Sequence, residues 1–216
     1  MNTQLNFSLF LGLITEEMDY SASKELLRSN IERTIGSQIE DSCFEAIAQL
    51  MVPKTIERKT RFIEEGEYCN YVHFITKGAC YAYDVDERGD KHAFQFSVED
   101  YWIGDLYSFF SGKVGIYNAE TIENTDFLII SRQNFEKLCL SHPIYERFFR
   151  ILIQNAFVAL QYRHIKTQSE DAEQRYLEFT RKHPYFVQRI PQYLIASYLG
   201  IKPQSLSRIR KELSGK

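Results

Sequence analysis

This chain is short of most of what would make it a catalyst, a metalloprotein or a membrane protein. Its four cysteines, Cys43, Cys69, Cys80 and Cys139, include no CxxC spacing and no nearby histidine in a zinc pattern. They read as buried or half-exposed thiols in a reducing cytoplasm. No Ser/His/Asp or paired-carboxylate arrangement stands out by spacing, so no catalytic residue is assigned and the chain is read as a non-enzyme. Long apolar runs are missing too. The stretch Phe7 to Ile14, FSLFLGLI, with Leu5 just before it, is far shorter than the roughly 20 residues that span a bilayer. It has no positively charged lead and is followed by Glu16, Glu17 and Asp19, which argues against a signal peptide and against a membrane partner. An accessory strand or helix packed on the body is expected there.

An overall positive charge is also lacking, with 26 Lys+Arg against 29 Asp+Glu and a net charge of −3 over 216 residues. The deficit is unevenly spread. Residues 1–164 hold 16 basic and 24 acidic residues, or −8, whereas residues 165–216 hold 10 and 5, or +5. Such asymmetry suggests a nucleic-acid-binding module attached to an acidic partner domain. At 44% hydrophobic and 25% charged residues, the chain has enough apolar material for one large domain or two small ones.

Apolar residues from Ser23 to Val52 recur mostly at three-, four- and five-residue intervals, interrupted near Gly36-Ser37, which predicts two helices closed by Pro53. No proline then occurs until Pro143. Between them, Tyr71–Thr76, Ala79–Val85, His92–Val98, Tyr117–Ile122 and Phe127–Ser131 read as strands, with turn signals at Gly66, Lys77-Gly78, Glu87 to Asp90 and Gly104. Short, evenly spaced strands with glycine turns indicate an antiparallel barrel or two-sheet roll. A metal-dependent roll enzyme would need a His-x-His pair, and His73 and His92 are isolated.

Pro143 opens a long helical pattern in which Phe148, Ile151, Leu152, Asn155, Val158 and Tyr162 form a nearly heptad seam. About 25 residues give a helix of roughly 37 Å, longer than a small domain needs for its own packing, so a partner helix is expected. Thr167 to Glu170 has capping-box spacing, placing a hinge between Lys166 and Ser169. An amphipathic helix follows from Ala172 to Arg181, with Tyr176, Leu177 and Thr180 inward.

The stretch IPQYLIASYLGIKPQSLSRIRKEL, ending at Leu213, carries the most information. Leu194, Ile195, Tyr198 and Leu199 make one buried stripe, Gly200 stops the helix, and Pro203 opens a second with Leu206, Ile209 and Leu213 inside. Gln204, Ser205, Ser207, Arg208, Arg210 and Lys211 are left outside, and Gln204 and Arg208 lie four apart on one face. Arg pairs with guanine, Gln with adenine, and Ser or Lys with phosphate. This stretch resembles the winged-helix DNA-binding end of the Crp/Fnr family of bacterial transcription regulators, in the subgroup reading IAxxLGIxPxxLSRIRK.

The segment FIEEGEYCNYVHFITKGACYAYDVDERGDKHAFQF likewise resembles the β-roll of cyclic-nucleotide-binding domains. The resemblance implies an α+β fold: an N-terminal antiparallel β-roll (a double-stranded β-helix or jelly roll) with flanking helices over residues 1–142, a long dimerisation helix over 143–167, and a small C-terminal winged helix-turn-helix domain over 168–216. It implies a homodimer on a pseudo-palindromic duplex site, with RNA polymerase as a further partner. Gln204, Ser207 and Arg208 are expected at base edges, with Ser207 the most recessed. Lys202 and Ser205 are expected on phosphates, and Arg210 and Lys211 to add nonspecific attraction. Wing strands, if formed, must come from Pro184–Pro191 and the few residues after Leu213. An N-terminal iron–sulfur ligand set, found in some members, has no counterpart before Cys43.

In the family a phosphate-binding cassette reads Gly-Glu-Leu-Gly, a gap, then Arg-Ser/Thr-Ala. Here Gly104, Asp105 and Leu106 keep its start, Tyr107 replaces the second Gly, and Tyr117, Asn118 and Ala119 replace the Arg triplet. A cyclic phosphate without a cation would be poorly compensated. Cyclic AMP is therefore not expected as the cofactor, whereas a less anionic small molecule is compatible. Lys113 is the one loop cation in reach, and Phe109, Phe110 and Tyr117 are expected to fill the pocket themselves. The rival reading is a ligand-binding sensor acting through protein contacts rather than DNA.

Overall fold

The computed structural model describes residues 20–214. The apolar run Phe7–Ile14 lies outside the described residues. Helices α1 (Tyr20–Ile35) and α2 (Asp41–Ala48) separate where Gly36-Ser37 interrupts the pattern. Leu27, Ile31, Ile35, Phe44 and Ile47 fall on their buried faces at helical spacing. Asn30 is buried for a polar reason: its amide donates to the Asp100 carbonyl and carboxylate at 2.9 Å each and accepts from the Trp102 indole at 3.0 Å. It thereby pins α1 to the roll.

Eight strands follow: β1 (Val52–Ile56), β2 (Arg61–Ile63), β3 (Tyr71–Lys77), β4 (Ala79–Val85), β5 (Lys91–Val98), β6 (Trp102–Ile103), β7 (Asn118–Thr121) and β8 (Thr125–Ser131). They form two four-stranded sheets, ordered β1-β8-β3-β6 and β2-β7-β4-β5, with antiparallel pairing in both. Five of the eight match the expected strands. The other three carry too little alternation to announce themselves: β2 and β6 have three and two residues, and β1 is an edge strand whose first four residues are exposed. Ile63, Ile75, Cys80, Ile103, Ala119, Phe127 and Ile129 close the space between the sheets. Each fully buried large apolar side chain contributes about 1.5–3 kcal/mol.

Short helix α3 (Leu106–Ser111) sits between β6 and β7, and α4 (Arg132–Ser141) follows β8, capped by the Ser131 hydroxyl accepting from the Asn134 N–H. Helix α5 (Pro143–Ser169) has proline in its first turn and runs 27 residues, about 40 Å. Its expected end is two residues early. Thr167 and Ser169 do not cap a new helix, because their hydroxyls donate back to the carbonyls of Arg163 and Ile165 within α5. The capping box belongs to Asp171 and Gln174, which open α6 (Ala172–Lys182). On α6 the inward residues are Tyr176 and Phe179, while Leu177 is exposed.

Helix α7 (Pro184–Arg189) occupies the stretch reserved for wing strands. Phe186 and Ile190, four apart, both bury against the same cluster, and that spacing requires a helical turn. Among the described residues no strand follows Ser131, so the helix-turn-helix carries no wing there. Helices α8 (Gln192–Tyr198) and α9 (Pro203–Ser214) complete the chain, joined through Gly200 at φ +63°, a backbone setting that glycine adopts without a Cβ penalty.

The C-terminal helices share a core with the outer face of the second sheet. Phe96 meets Phe179, Phe186 and Tyr198, and Tyr81, Tyr83, Leu194, Ile195 and Ile209 belong to the same buried cluster. Strand β5 is that sheet's free edge, and Ser197 of α8 supplies the missing partner. Its hydroxyl accepts from Ala93 N–H at 2.9 Å and donates to the Lys91 carbonyl at 3.0 Å.

Candidate nucleic-acid interface and effector cassette

Helix α9 has two sides of opposite character. Leu206 and Ile209 are buried against α8 and α6, while Gln204, Ser207, Arg208, Arg210 and Lys211 are exposed. At 100° per residue, Gln204, Ser207, Arg208 and Lys211 fall within about one third of the helix circumference. Arg208 is 76% exposed in its side chain and only loosely paired with Glu212 at 3.9 Å. Lys202 is exposed just before the helix. The expected order of the serines is reversed: Ser207 lies in the open and Ser205 is half-buried, because Ser205 is next to Leu206 on the inward flank.

The cassette stretch is built differently from a phosphate cradle. Asp105 is fully buried, and both its oxygens accept backbone N–H groups: Oδ1 from Ser108 at 3.1 Å, capping α3, and Oδ2 from Ile116 at 2.9 Å. A side chain at Gly115 would place its Cβ 2.8 Å from Asp105 Oδ2, so the loop closes onto the carboxylate only because that residue is glycine. The Ser108 hydroxyl accepts from Cys69 N–H and donates to the Lys113 carbonyl. Tyr117 lies edge-on to Phe94 at 4.9 Å, and its hydroxyl donates to the Gly104 carbonyl at 2.7 Å. Burial raises its phenol well above the usual tyrosine range, so it stays a neutral donor. The Asn118 side chain accepts from Glu65 N–H, and Ala119 is buried in β7.

Two expectations for this pocket need correction. Phe109 is buried, but in the helical cluster with Phe135 and Phe149 rather than between the sheets. Phe110 is exposed. Both ride on α3, whose cap at Asp105 turns it outward, leaving Tyr117 as the aromatic that enters the roll. Leu106, Tyr107, Phe110, Val114 and Ile116 form an exposed apolar rim around the cassette instead.

Residues 53–142 match the family model of the cyclic nucleotide-binding domain. FixK2 from Bradyrhizobium japonicum is similar in structure, with a TM-score of 0.67 at 16% identity over 76% of this chain and 85% of its own. A protein from Eubacterium rectale assigned to the Crp/Fnr family of transcriptional regulators gives 0.65 at 12% identity over 82% of this chain and 84% of its own. The c-di-GMP-responsive global regulator CLP of Xanthomonas campestris gives 0.63 at 11% over 82% and 92%. This chain has the Crp/Fnr fold. No curated protein matches it in sequence.

Within this Crp/Fnr fold the residues expected to form a seam along α5 do not share one surroundings. Phe148 is fully buried in its own chain's cluster with Trp102 and Phe149, so it is removed from any seam between copies. Ile151 and Leu152 are half-buried, Leu152 against that same cluster. Asn155, Val158 and Tyr162 are exposed, but the Tyr162 hydroxyl donates to Glu178 of α6 and its ring lies under Lys182 at 4.2 Å. The open apolar stripe is Ile153, Phe157 and Leu160, flanked by Val158 and Ile165. At 100° per residue, Ile153, Phe157 and Leu160 centre nearly half a turn from the predicted seam, whose Phe148 and Leu152 pack in this chain's own cluster and whose Tyr162 meets α6.

Sequence patterns missed the contacts that seat the C-terminal helices on the roll. Arg189 of α7 pairs with Glu99 at 2.6 Å and Glu123 at 2.7 Å, partners 90 and 66 residues away. Arg163 lies over the Tyr198 ring and donates to the Phe94 carbonyl. Long-range pairs of this kind leave no periodic trace. His73 is buried among Phe62 and Phe127, its Nδ1 has no hydrogen-bond partner, and burial with nearby Lys54 lowers its pKa to about 3. No group of three or more His, Cys, Asp or Glu among the described residues is placed to hold a metal ion. No described helix is long and apolar enough to cross a membrane.

Proposed function

We propose that this chain is a homodimeric, sequence-specific DNA-binding transcription regulator of the Crp/Fnr type. The observation that carries the reading is the sidedness of α9: Leu206 and Ile209 anchor it while Gln204, Ser207 and Arg208 project from its open face. In this reading Gln204, Ser207 and Arg208 meet base edges, and Lys202, Ser205, Arg210 and Lys211 serve the phosphates. The open stripe of α5 pairs two copies, setting two reading helices about 34 Å apart on a pseudo-palindromic site. The units of action are the roll through residue 142, the long helix, and the residues after the break at Glu170-Asp171. Cyclic AMP is not the effector, because Tyr117 stands in the arginine's place and Asp105 spends both oxygens on backbone N–H groups.

Selection of binding sites from random duplex DNA tests this directly. The wild-type chain is expected to enrich a two-fold symmetric site, and Arg208→Ala to lose roughly 1–3 kcal/mol while relaxing one base position in each half-site. An unchanged site preference in Arg208→Ala counts against the assignment.

A second reading, a roll module acting through protein contacts, is favoured by the exposed apolar rim of Leu106, Tyr107, Phe110, Val114 and Ile116. It predicts only weak, sequence-independent DNA binding that falls steeply with salt.

A further inference from the structure

We propose that Arg163 is the positioning residue of the reading helices, and that its grip depends on how Phe94 is seated beside the cassette, so that the spacing of two half-sites answers to that end of the roll. This rests on the DNA reading of α9 and adds how that helix is set.

Strand β5 contains a bulge. Its register on β4 passes from Ala82↔Gln95 to Tyr83↔Ala93 and skips Phe94, so one residue of β5 has no partner on β4. The effect shows on both faces of the strand. Ala93 and Phe96, three apart, both enter the cluster shared with the C-terminal helices, whereas Phe94 between them packs with the residues between the sheets, its ring edge-on to Tyr117 at 4.9 Å. An unbroken strand would put Phe94 and Phe96 on one face. The skipped residue's carbonyl is also free of the ladder. It accepts from the guanidinium of Arg163 on α5, which lies over the ring of Tyr198 on α8 at 4.9 Å.

The guanidinium has five N–H donors, yet among the described residues no carboxylate is paired with it; one carbonyl and one ring face hold it. Its direction is therefore set by where the Phe94 carbonyl points, and that follows from the ring's seat against Tyr117. Both ends of the contact bear on DNA. Arg163 lies about two turns before the break at Glu170-Asp171, and Tyr198 is the last residue of α8, just ahead of the Gly200 turn into α9. The contact thus reaches past the break and sets α8 against the helix proposed to pair two copies. Arg189, Ser197 and Arg175, which donates to the Leu199 carbonyl, hold the same helices elsewhere, so losing Arg163 releases the setting of α8 against α5 and leaves the fold in place.

Amide exchange of the full chain tests the linkage without DNA. Phe94→Leu and Arg163→Gln are each expected to speed exchange about tenfold across residues 198–201, and the double variant no further, because the two act in series. Multiplying effects in the double variant, or unchanged exchange in Phe94→Leu, overturn the linkage. Selected duplexes then test its use. The wild-type chain is expected to bind two half-sites at one spacing about tenfold better than at spacings a single base pair longer or shorter. Arg163→Gln is expected to level those affinities while selecting the same half-site bases, and Arg163→Lys, which keeps a cation for Tyr198 but loses the planar fork, to fall between. A spacing preference kept in Arg163→Gln overturns the positioning role. A wild-type chain that enriches no symmetric site overturns the DNA reading itself, and the exchange result still decides the linkage from Phe94 to Tyr198.

Discussion

The phenol of Tyr117 donates a 2.7 Å hydrogen bond to the carbonyl oxygen of Gly104, joining the two ends of the cassette stretch across the mouth of the roll. The position assigned by resemblance to a phosphate-neutralising cation is thus occupied by a neutral side chain that is already satisfied. Titration calorimetry with cyclic AMP is accordingly expected to give no saturable heat at millimolar nucleotide. Tyr117→Phe leaves the buried Gly104 carbonyl without its partner and is expected to cost about 1–3 kcal/mol in urea unfolding. Saturable binding of cyclic AMP by the wild-type chain would contradict this account of the pocket.

Arg189 ties the C-terminal helices to the roll by bridging Glu99 and Glu123, and the Gly78 N–H also donates to Glu99 at 2.7 Å. Burial alone would raise the Glu99 carboxyl; the hydrogen bonds from Arg189 and Gly78 outweigh it and hold the group below its ordinary value. A carboxylate depressed in the folded state stabilises above its unfolded pKa and loses that contribution as pH falls. The contact should therefore weaken as pH drops below about 4.5, and Arg189→Ala should flatten that acid dependence. These side chains are a quarter to a third exposed, so at neutral pH the substitution is expected to cost only about 1–2 kcal/mol. Amide exchange should rise first in α7 and at Gly78, and exchange confined to other elements would sink the assignment.

What the sequence made legible follows from which forces act locally. The helix-turn-helix was readable because Gly200, Pro203 and the Leu206/Ile209 spacing each constrain a few neighbouring residues. The strands with aromatic or β-branched alternation were readable for the same reason. The wing failed because Phe186 and Ile190 are recruited by Phe96, a residue 90 positions upstream of Phe186 that no local pattern registers. Periodicity on α5 identified a helix with apolar residues at regular spacing but did not separate its buried face from its open one. Heptad counting cannot tell a stripe that packs on its own roll, such as Phe148 and Leu152, from one left open, such as Phe157 and Leu160. In the cassette the motif comparison located the departure at Tyr117, whereas the use of Asp105 as a loop clasp depends on Ile116, eleven residues on, folding back.

Gly78 turns β3 into β4 at φ +100°, and a Cβ there would lie 2.6 Å from the Asn124 carbonyl oxygen and 2.8 Å from the Thr125 Cα. Both obstacles are fixed: the first is backbone, and Thr125 is fully buried with its hydroxyl donating to the Ala79 carbonyl. Gly78→Ala therefore combines left-handed strain with overpacking and is expected to destabilise by at least about 3 kcal/mol. Gly89→Ala is the control, since it shares a positive φ of 85° but meets nothing within 4 Å. It should cost only about 1 kcal/mol, the strain alone. Equal losses in the two variants by thermal unfolding would show that the close approach at Gly78 is immaterial.

Helix α5 separates pairing from folding residue by residue, and that separation is measurable. Phe157 is 57% exposed on the open stripe, and Phe148, nine positions earlier, is fully buried in its own chain. If two copies meet along Ile153, Phe157 and Leu160, a charge at Phe157 is driven into an apolar interface, where an unpaired carboxylate is poorly tolerated. Phe157→Asp should then convert a two-chain species to a single chain in sedimentation equilibrium while leaving the far-ultraviolet spectrum intact. Its affinity for a symmetric duplex site should fall by far more than its affinity for a half-site, because the linkage between two reading helices is what is lost. Phe148→Ala should behave oppositely. It opens a cavity beside Trp102 and Phe149, costs about 3–5 kcal/mol of chain stability, and does not itself remove a contact between copies. A single-chain wild-type species, or a Phe157→Asp variant that stays paired, would place the contact between copies somewhere other than α5.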